Sequence, residues 1–523
     1  MKSIAFPLIG ALLSLSVGAQ IPSVKFGVTH KPANHTVPKA CFKLDNERFL
    51  SFSVTGSPDN ERGPRYLQEY SCSSYDLLRQ RALTVSGMKG ALVMEVVKYQ
   101  DRFWGLIQLL EKKQRQLWLG EINVKTGVVK PVTQLQKQHS SPSIFLDEVR
   151  LQAKGDYMFV YRLCLEENQK GRVEISWLED GGTIGAFSQV EFDTQGEKML
   201  QESDRWVNKP PKSQIGQLQV EINAQGEVFS LLSLDGPLDE KYIPQKRKLM
   251  MIILKAASEG YALEVSPEDG IVTSAHMALD PTGNPWVAGF ISESVSGSAI
   301  VGSYFWLQLD AAEKRLKSSG VQAIKGENRT SVVRNSTFHN NYRIVSLEFS
   351  QNCAFVVSEV QHEGGFGSYL LPSKVFWKQV TAVLSGKIVV GPALVVGFDL
   401  QSGDLLWEEK WNRWELTDYN TRFRSGIIAQ ATDWGVVLLS SVAITEKQNK
   451  ANFNPSKVLM GTQNGGTFAL EVTEKGIERK ELLFKNKERF VPFRVAGISL
   501  YYNEVLLFGE KDYNRQRWCE LTY

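Results

Sequence analysis

The feature that most limits what this chain can fold into is a repeated rhythm. Short runs of alternating apolar residues come in pairs, joined by turns rich in Gly, Asp and Asn. Long stretches with helical periodicity are scarce. The clearest unit runs from Ala278 to Phe290: Leu279 enters the turn Asp280-Pro281-Thr282-Gly283-Asn284, and Trp286-Val287-Ala288-Gly289-Phe290 leaves it. Asp suits the first turn position, proline presets φ at the second, and Gly283 takes the positive φ that closes the hairpin. A further strand, Ser303 to Leu309, follows. Comparable units begin near Phe42, Arg102, Ile144, Gln217, Tyr342, Phe423 and Val491, which makes eight in all.

Length then becomes informative. The chain has 523 residues, which by size alone allows several domains. Eight units of about 60 residues instead build one ring, since a bare four-stranded blade needs roughly 40–50 and the surplus goes into loops. A four-stranded sheet with two apolar faces cannot bury both alone. Packing blade on blade around a closed ring does so. The expectation is therefore an all-β fold, a single β-propeller of seven or eight four-stranded blades. The last unit is one strand short before Tyr523, and Pro22 to His30, containing Val24-Lys25-Phe26-Gly27-Val28, reads as the spare strand that latches the ring. The alternative is two β-sandwich domains, which also space their strands evenly.

Two segments carry a family resemblance. Leu394 to Trp407, with Asp399, Ser402-Gly403 and the closing Trp407, resembles the quinoprotein-type propeller repeat; Glu121 to Val129 is a degraded echo without the Trp. Asp280 to Phe290 resembles the D-x-x-G-N-x-[YW]-V-x-G repeat of secreted bacterial propellers. The resemblance implies fold above all. A quinoprotein dehydrogenase would bring a quinone pocket with Ca²⁺ ligands and a pair of adjacent cysteines, and no two cysteines are adjacent here. Envelope scaffold proteins with the same repeat use no cofactor, and none is expected here.

Met1 to Ala19 reads as a secretory leader: Lys2 is the basic start, Ile4 to Leu15 the apolar stretch, and Val17-Gly18-Ala19 the small residues before a cut at Gln20. Residues 20–523 then form the propeller domain. The apolar stretch is short of the about 20 residues a span needs, so the expectation is an exported protein of the periplasm, cell surface or exterior, without a transmembrane segment. Export permits disulfides. The five cysteines are odd in number, and Cys41 and Cys519, near the two ends, are the candidate pair, while Cys164 and Cys353 sit in apolar runs and read as buried hydrophobes. Sixty basic against 57 acidic residues give no support to nucleic-acid binding.

The usual signatures of catalysis and metal binding are missing: no G-x-S-x-G, H-E-x-x-H or G-x-x-x-x-G-K-[ST] is present. His30 and His35 lie in a proline-containing segment and read as an exposed tail rather than a metal pair. Calcium in the Asp/Gly turns is a further reading. No catalytic, cofactor-binding or metal-binding residue is assigned. One constellation stands out: Trp407, Trp411 and Trp414, with Arg413 between and Tyr419 beyond. On a helix the three indoles share a face; on a strand only Trp407 and Trp411 do. Such residues either form a platform for a sugar or a protein hot spot, or pack an insertion onto its blade. The functional expectation is a non-enzymatic binding or scaffolding propeller, a monomer or part of a larger assembly, with a protein or glycan partner. The rival is a carbohydrate-active or other hydrolytic enzyme with its site at the central channel mouth.

Overall fold

A computed structural model describes residues 23–31, 36–55, 63–111, 114–137, 144–166, 170–193, 219–235, 247–258, 260–268, 270–292, 301–326, 342–363, 387–411, 413, 415–418, 426–432, 434–443, 459–460, 465–486, 491–492, 504–511 and 515–522. These form eight sheets and no helix. From the axis outward, blade 1 holds Thr36–Lys43, Arg48–Thr55, Arg65–Ser71 and Leu77–Ala82. Blades 2 to 7 repeat this order, starting at the inner strands Leu92–Tyr99, Ile144–Lys154, Gln219–Ile222, Ile271–Leu279, Tyr342–Phe349 and Ile427–Thr432. Blade 8 consists of Val491–Pro492, Glu504–Lys511 and Arg515–Thr522, and its outermost strand is Ser23–Phe26. The spare strand thus latches the ring as the sequence indicates, with Val24 opposite Leu521 and Phe26 opposite Cys519.

Eight buried apolar clusters prove the closure. Each mixes residues of two consecutive blades, and the series returns from blade 8 to blade 1. Two separate sandwiches would break that cycle. Between blades 5 and 6, Trp286 stacks on Trp306 at 5.6 Å beside Tyr342, Val356 and Phe398. Burial on both faces explains why some runs lose their alternation: Pro285–Ser292, second in blade 5, is buried at every position.

The turns follow from their residues. The Asp280 carboxylate accepts the backbone N–H of Thr282 and of Asn284, each at 2.9 Å, and Gly283 has φ +86°. Asp399 does the same for Gln401 and Ser402. At Gly403 a side chain is excluded twice over, by φ +75° and by the Trp306 ring of the preceding blade, which lies 2.2 Å from where a Cβ would stand.

Two blades depart from four strands. Thr84–Val85 adds a short parallel strand outside blade 2. In blade 6 the outer strand is split into Leu405–Trp411 and Glu415–Asp418, both pairing with Lys387–Asp399, and Leu459–Met460 adds beyond. The expected Cys41–Cys519 bridge is not formed. None of the five cysteines is in a disulfide, and these two belong to different inter-blade clusters. Cys164 and Cys353 are buried as expected. No helix among the described residues is long and apolar enough to cross a membrane, which says nothing of a strand-built barrel.

Replacing Trp286 by alanine should remove about 3–5 kcal/mol of stability, because the fully buried ring joins two blades. Urea unfolding of the variant checks this, and a loss below about 1 kcal/mol would mean that the junction repacks.

Candidate functional site

The inner strands carry a set of titratable side chains near the ring axis. On blade 2, Glu95 bonds forward to blade 3: its Oε1 lies 3.1 Å from Arg150 and its Oε2 accepts the N–H of Leu151 at 2.5 Å. Arg150 also pairs with Glu148 on its own strand. Lys154 of blade 3 lies 3.6 Å from Glu221 of blade 4. Gln219 of blade 4 accepts the N–H of Met277 in blade 5 at 2.5 Å, and its amide nitrogen is 3.0 Å from His276 Nδ1. Ser274 accepts the N–H of Ile344 in blade 6 at 3.1 Å.

Burial shifts several of these groups. It pushes the Glu95 carboxyl up, against the pull of the Leu151 N–H and Arg150. It pushes Glu221 up as well, with Lys154 opposing. His276 is driven down to about 4 by burial, and the neighbouring Arg343 charge adds to this. Glu348, one residue from the end of the blade 6 inner strand, stands apart. Its carboxyl is raised to about 7, above all by burial, with the hydrogen bond from Ser346 opposing and the Glu221 charge adding a smaller push. A carboxyl that holds its proton near neutrality is chemically suited to donate it.

The aromatic run lies elsewhere, on the outer strand of blade 6. It is a strand and not a helix, so Trp407 and Trp411 do share a face, and both pack on the cluster between blades 6 and 7. Trp411 is buried, with Arg413 at 5.9 Å and Lys480 at 5.8 Å from its ring centre. Burial lowers the Lys480 ammonium to about 8. Trp407 keeps partial exposure, and its indole N–H donates to the Glu474 carbonyl at 2.8 Å. Trp414 and Tyr419 lie outside the described residues.

Arg413 sits at the break in the outer strand and is fully buried. Its guanidinium pairs with Glu359 in its own blade, donates to Ser440 of blade 7 at 2.7 Å, and lies 3.3 Å from Glu415. Glu415 in turn accepts the Gly426 N–H at 2.9 Å. One buried cation thus ties two blades together. This is the packing alternative for Trp411 and Arg413.

The Asp280 turn engages its carboxylate with its own donors. The Asp280 carboxylate is ringed by the N–H groups of Thr282 and Asn284 and by the Thr282 hydroxyl, whose positive ends face it. Among the described residues no three His, Cys, Asp or Glu side chains converge as metal ligands would. The carboxylates of the inner strands were not singled out from the sequence. Their signal is a lone charged residue inside an apolar run, as at Glu95 in Val93-Met94-Glu95-Val96-Val97 and Glu348 in Val345-Ser346-Leu347-Glu348-Phe349.

No protein-family model matches this chain, and no curated protein does. Among solved structures it is similar to the WD40 domain of SCAP from fission yeast, at a TM-score of 0.40 and 9% identity over 96% of this chain and 98% of that one. It is similar to the Bombyx mori GH32 β-fructofuranosidase BmSUC1, at 0.28 and 11% over 96% and 91%. A Synechocystis apocarotenoid oxygenase mutant aligns at 0.30 and 9% over 88% of each chain. At such scores none of the three bears on function, and the ring rests on the sheet pairing above.

Two outcomes follow for stability. Glu359→Ala strips a fully buried guanidinium of a partner and should cost about 3–5 kcal/mol in chemical denaturation. Glu348 has a folded-state carboxyl raised above its ordinary 4.5. Its stabilising contribution is therefore whole below that value and is lost as pH rises through about 7. Glu348→Gln should remove this slope, leaving the variant about 1–3 kcal/mol more stable than wild type at alkaline pH and no more stable below pH 4.5. Parallel pH–stability curves would show that Glu348 is not perturbed.

Proposed function

We propose that this is an exported binding propeller without catalytic activity, which presents the outer rim of blades 3 to 6 to a protein partner. Met1 to Ala19 acts as the leader and residues 20–523 form the working domain. The observation that carries the reading is a series of exposed large apolar side chains on consecutive outer strands, which includes Leu78 and Val132 on blades 1 and 2 and holds its two aromatic members on blades 3 and 4. Phe187 is 50% exposed on Ile184–Asp193, Tyr261 39% on Tyr261–Glu264, Val321 60% on Arg315–Ala323 and Leu406 46% on Leu405–Trp411. Single exposed apolar residues are ordinary, but a run of them on neighbouring elements marks an interaction surface, and aromatic residues anchor such surfaces. Trp407, on the same strand as Leu406, keeps partial exposure while packing against blade 7.

A second reading, a hydrolytic enzyme with its site at the channel mouth, draws on Glu348, whose carboxyl titrates near neutrality beside Glu221. Against it, Glu95 and Gln219 already accept hydrogen bonds from the next blade's backbone, and Arg150 and Lys154 are ion-paired.

Two measurements test these readings. N-terminal sequencing of the protein recovered from outside the cytoplasm should begin at Gln20; an intact Met1 would remove the export claim. Affinity capture from the native envelope fraction should then compare wild type, Phe187→Asp with Val321→Asp, and Glu348→Gln. The rim double variant should lose a specific protein at least tenfold with its melting temperature unchanged, and Glu348→Gln should keep it. Retention by the rim variant, together with glycoside hydrolysis abolished by Glu348→Gln, would transfer the function to the axis.

A further inference from the structure

The two chain ends meet inside blade 8. There the pairing of Ser23–Phe26 with Arg515–Thr522 closes the ring without a covalent link. After that strand the chain crosses to blade 1. Gly27 N–H donates to Trp518 O at 2.9 Å, and Val28 N–H donates to Ser74 O at 3.2 Å. The backbone of His30 then makes two bonds with Gln516, donating at 2.9 Å and accepting at 2.8 Å. The Tyr75 hydroxyl donates to Glu520 at 2.6 Å, and the Lys25 ammonium lies 5.1 Å over the Tyr75 ring and 3.5 Å from the same carboxylate. The segment from Ser23 to His30 is thus one strap across both blades.

A proline-containing polar segment predicts an exposed tail at His30. The structure instead sets its imidazole in the seam, 5.7 Å from the Tyr70 ring of blade 1 and 6.5 Å from the Phe508 ring of blade 8. Both ring nitrogens are buried and neither has a hydrogen-bond partner among the described residues. A neutral imidazole tolerates this poorly, and an imidazolium, with two donors and a charge to solvate, tolerates it far worse. The groups facing it are the Tyr70 phenol and the Asp76 carboxyl from blade 1, and the uncharged Gln516 and Phe508 from blade 8. Asp76 favours the charged ring but does not outweigh burial.

We infer that His30 makes the ring closure acid-labile: protonation of its imidazole releases the strap Ser23 to His30 from blades 8 and 1 and bares the edge of Arg515–Thr522. The sign follows from the burial. Closed, the ring holds the imidazole at about 4; open in water it titrates at its ordinary 6.5. The closed state keeps its full advantage above 6.5 and loses it as pH falls towards 4. At pH 5 the open population should rise about 30-fold over its neutral value.

Amide hydrogen exchange on the purified protein, read as protection factors at pH 7.5 and 5, tests this. Protection over residues 23–30 and 515–522 should fall about 30-fold while blades 3 to 5 change little, and His30→Gln or His30→Phe should flatten the response. An equal fall across all blades, or an unchanged fall in both variants, would overturn the inference. Histidine C2–H exchange read by mass spectrometry on wild type needs no variant: a midpoint for His30 below pH 5 supports the latch, and one near 6.5 sinks it.

Discussion

The contact on which everything else depends is the burial of one sheet face against the next. Each central strand is apolar on both sides, as Pro285–Ser292 shows, so a blade needs two neighbours. A linear row would leave its end blades bare, and apolar area left in water costs about 25 cal/mol per Å². Ring closure is the geometry in which no face is left over. The eight clusters satisfy it junction by junction. The same demand explains why the chain spends the strand Ser23–Phe26 on its last blade. Without Ser23–Phe26, the two ends of the array would be held by packing of Phe49, Tyr70, Phe508 and Trp518 and by hydrogen bonds such as that from the Gln516 amide to the Thr36 carbonyl at 2.8 Å.

Near the axis the inner strands come together, and apolar packing gives way to directed polar contacts. One blade supplies a side chain and the next supplies a backbone group: Glu95 accepts from Leu151, Gln152 donates to the Val220 carbonyl, Gln219 accepts from Met277 and Ser274 accepts from Ile344. A buried backbone N–H without a partner costs a large part of a hydrogen bond's free energy. These side chains therefore fix the rotation of each blade relative to the next. Arg413 does the same further from the axis, through Glu359 and Ser440.

How much of this the sequence disclosed follows from what each signal measures. Alternation, turn chemistry and unit count report local geometry, so the eight blades, the Asp280 and Asp399 turns and the latch strand were all legible. Alternation says nothing about which blade a side chain meets. Trp407 and Trp411 read as a same-face pair on a strand, but the burial of Trp411 and Arg413 depends on partners distant in sequence, Glu359, Ser440 and Lys480. His30 was misread because a proline-containing polar segment reads as solvated; its burial comes from Tyr70 and Phe508, which are distant in sequence. The inner-strand carboxylates were missed because a single Glu in an apolar strand is locally only an irregularity.

The division of labour between axis and rim bears on where recognition belongs. Several polar groups on the inner strands, Glu95, Gln152, Gln219 and Ser274 among them, are committed to the neighbouring blade, so changing one for a new ligand would also loosen a junction. The outer strands also bond to the next blade, as Ser188 does to the Lys255 carbonyl, but they keep an outward face that is free of this duty. On Ile184–Asp193, Ser188 and Phe192 are buried, while Phe187 and Gln189 face outward. Side chains on that outward face can vary without touching an inter-blade cluster. Glu348 breaks the pattern on the inner strands: its hydrogen bond comes from Ser346 on its own strand, and burial keeps its carboxyl near neutrality. A ring held together in this way is free to evolve recognition at its rim, and at its axis only where a residue such as Glu348 is not already engaged by the next blade.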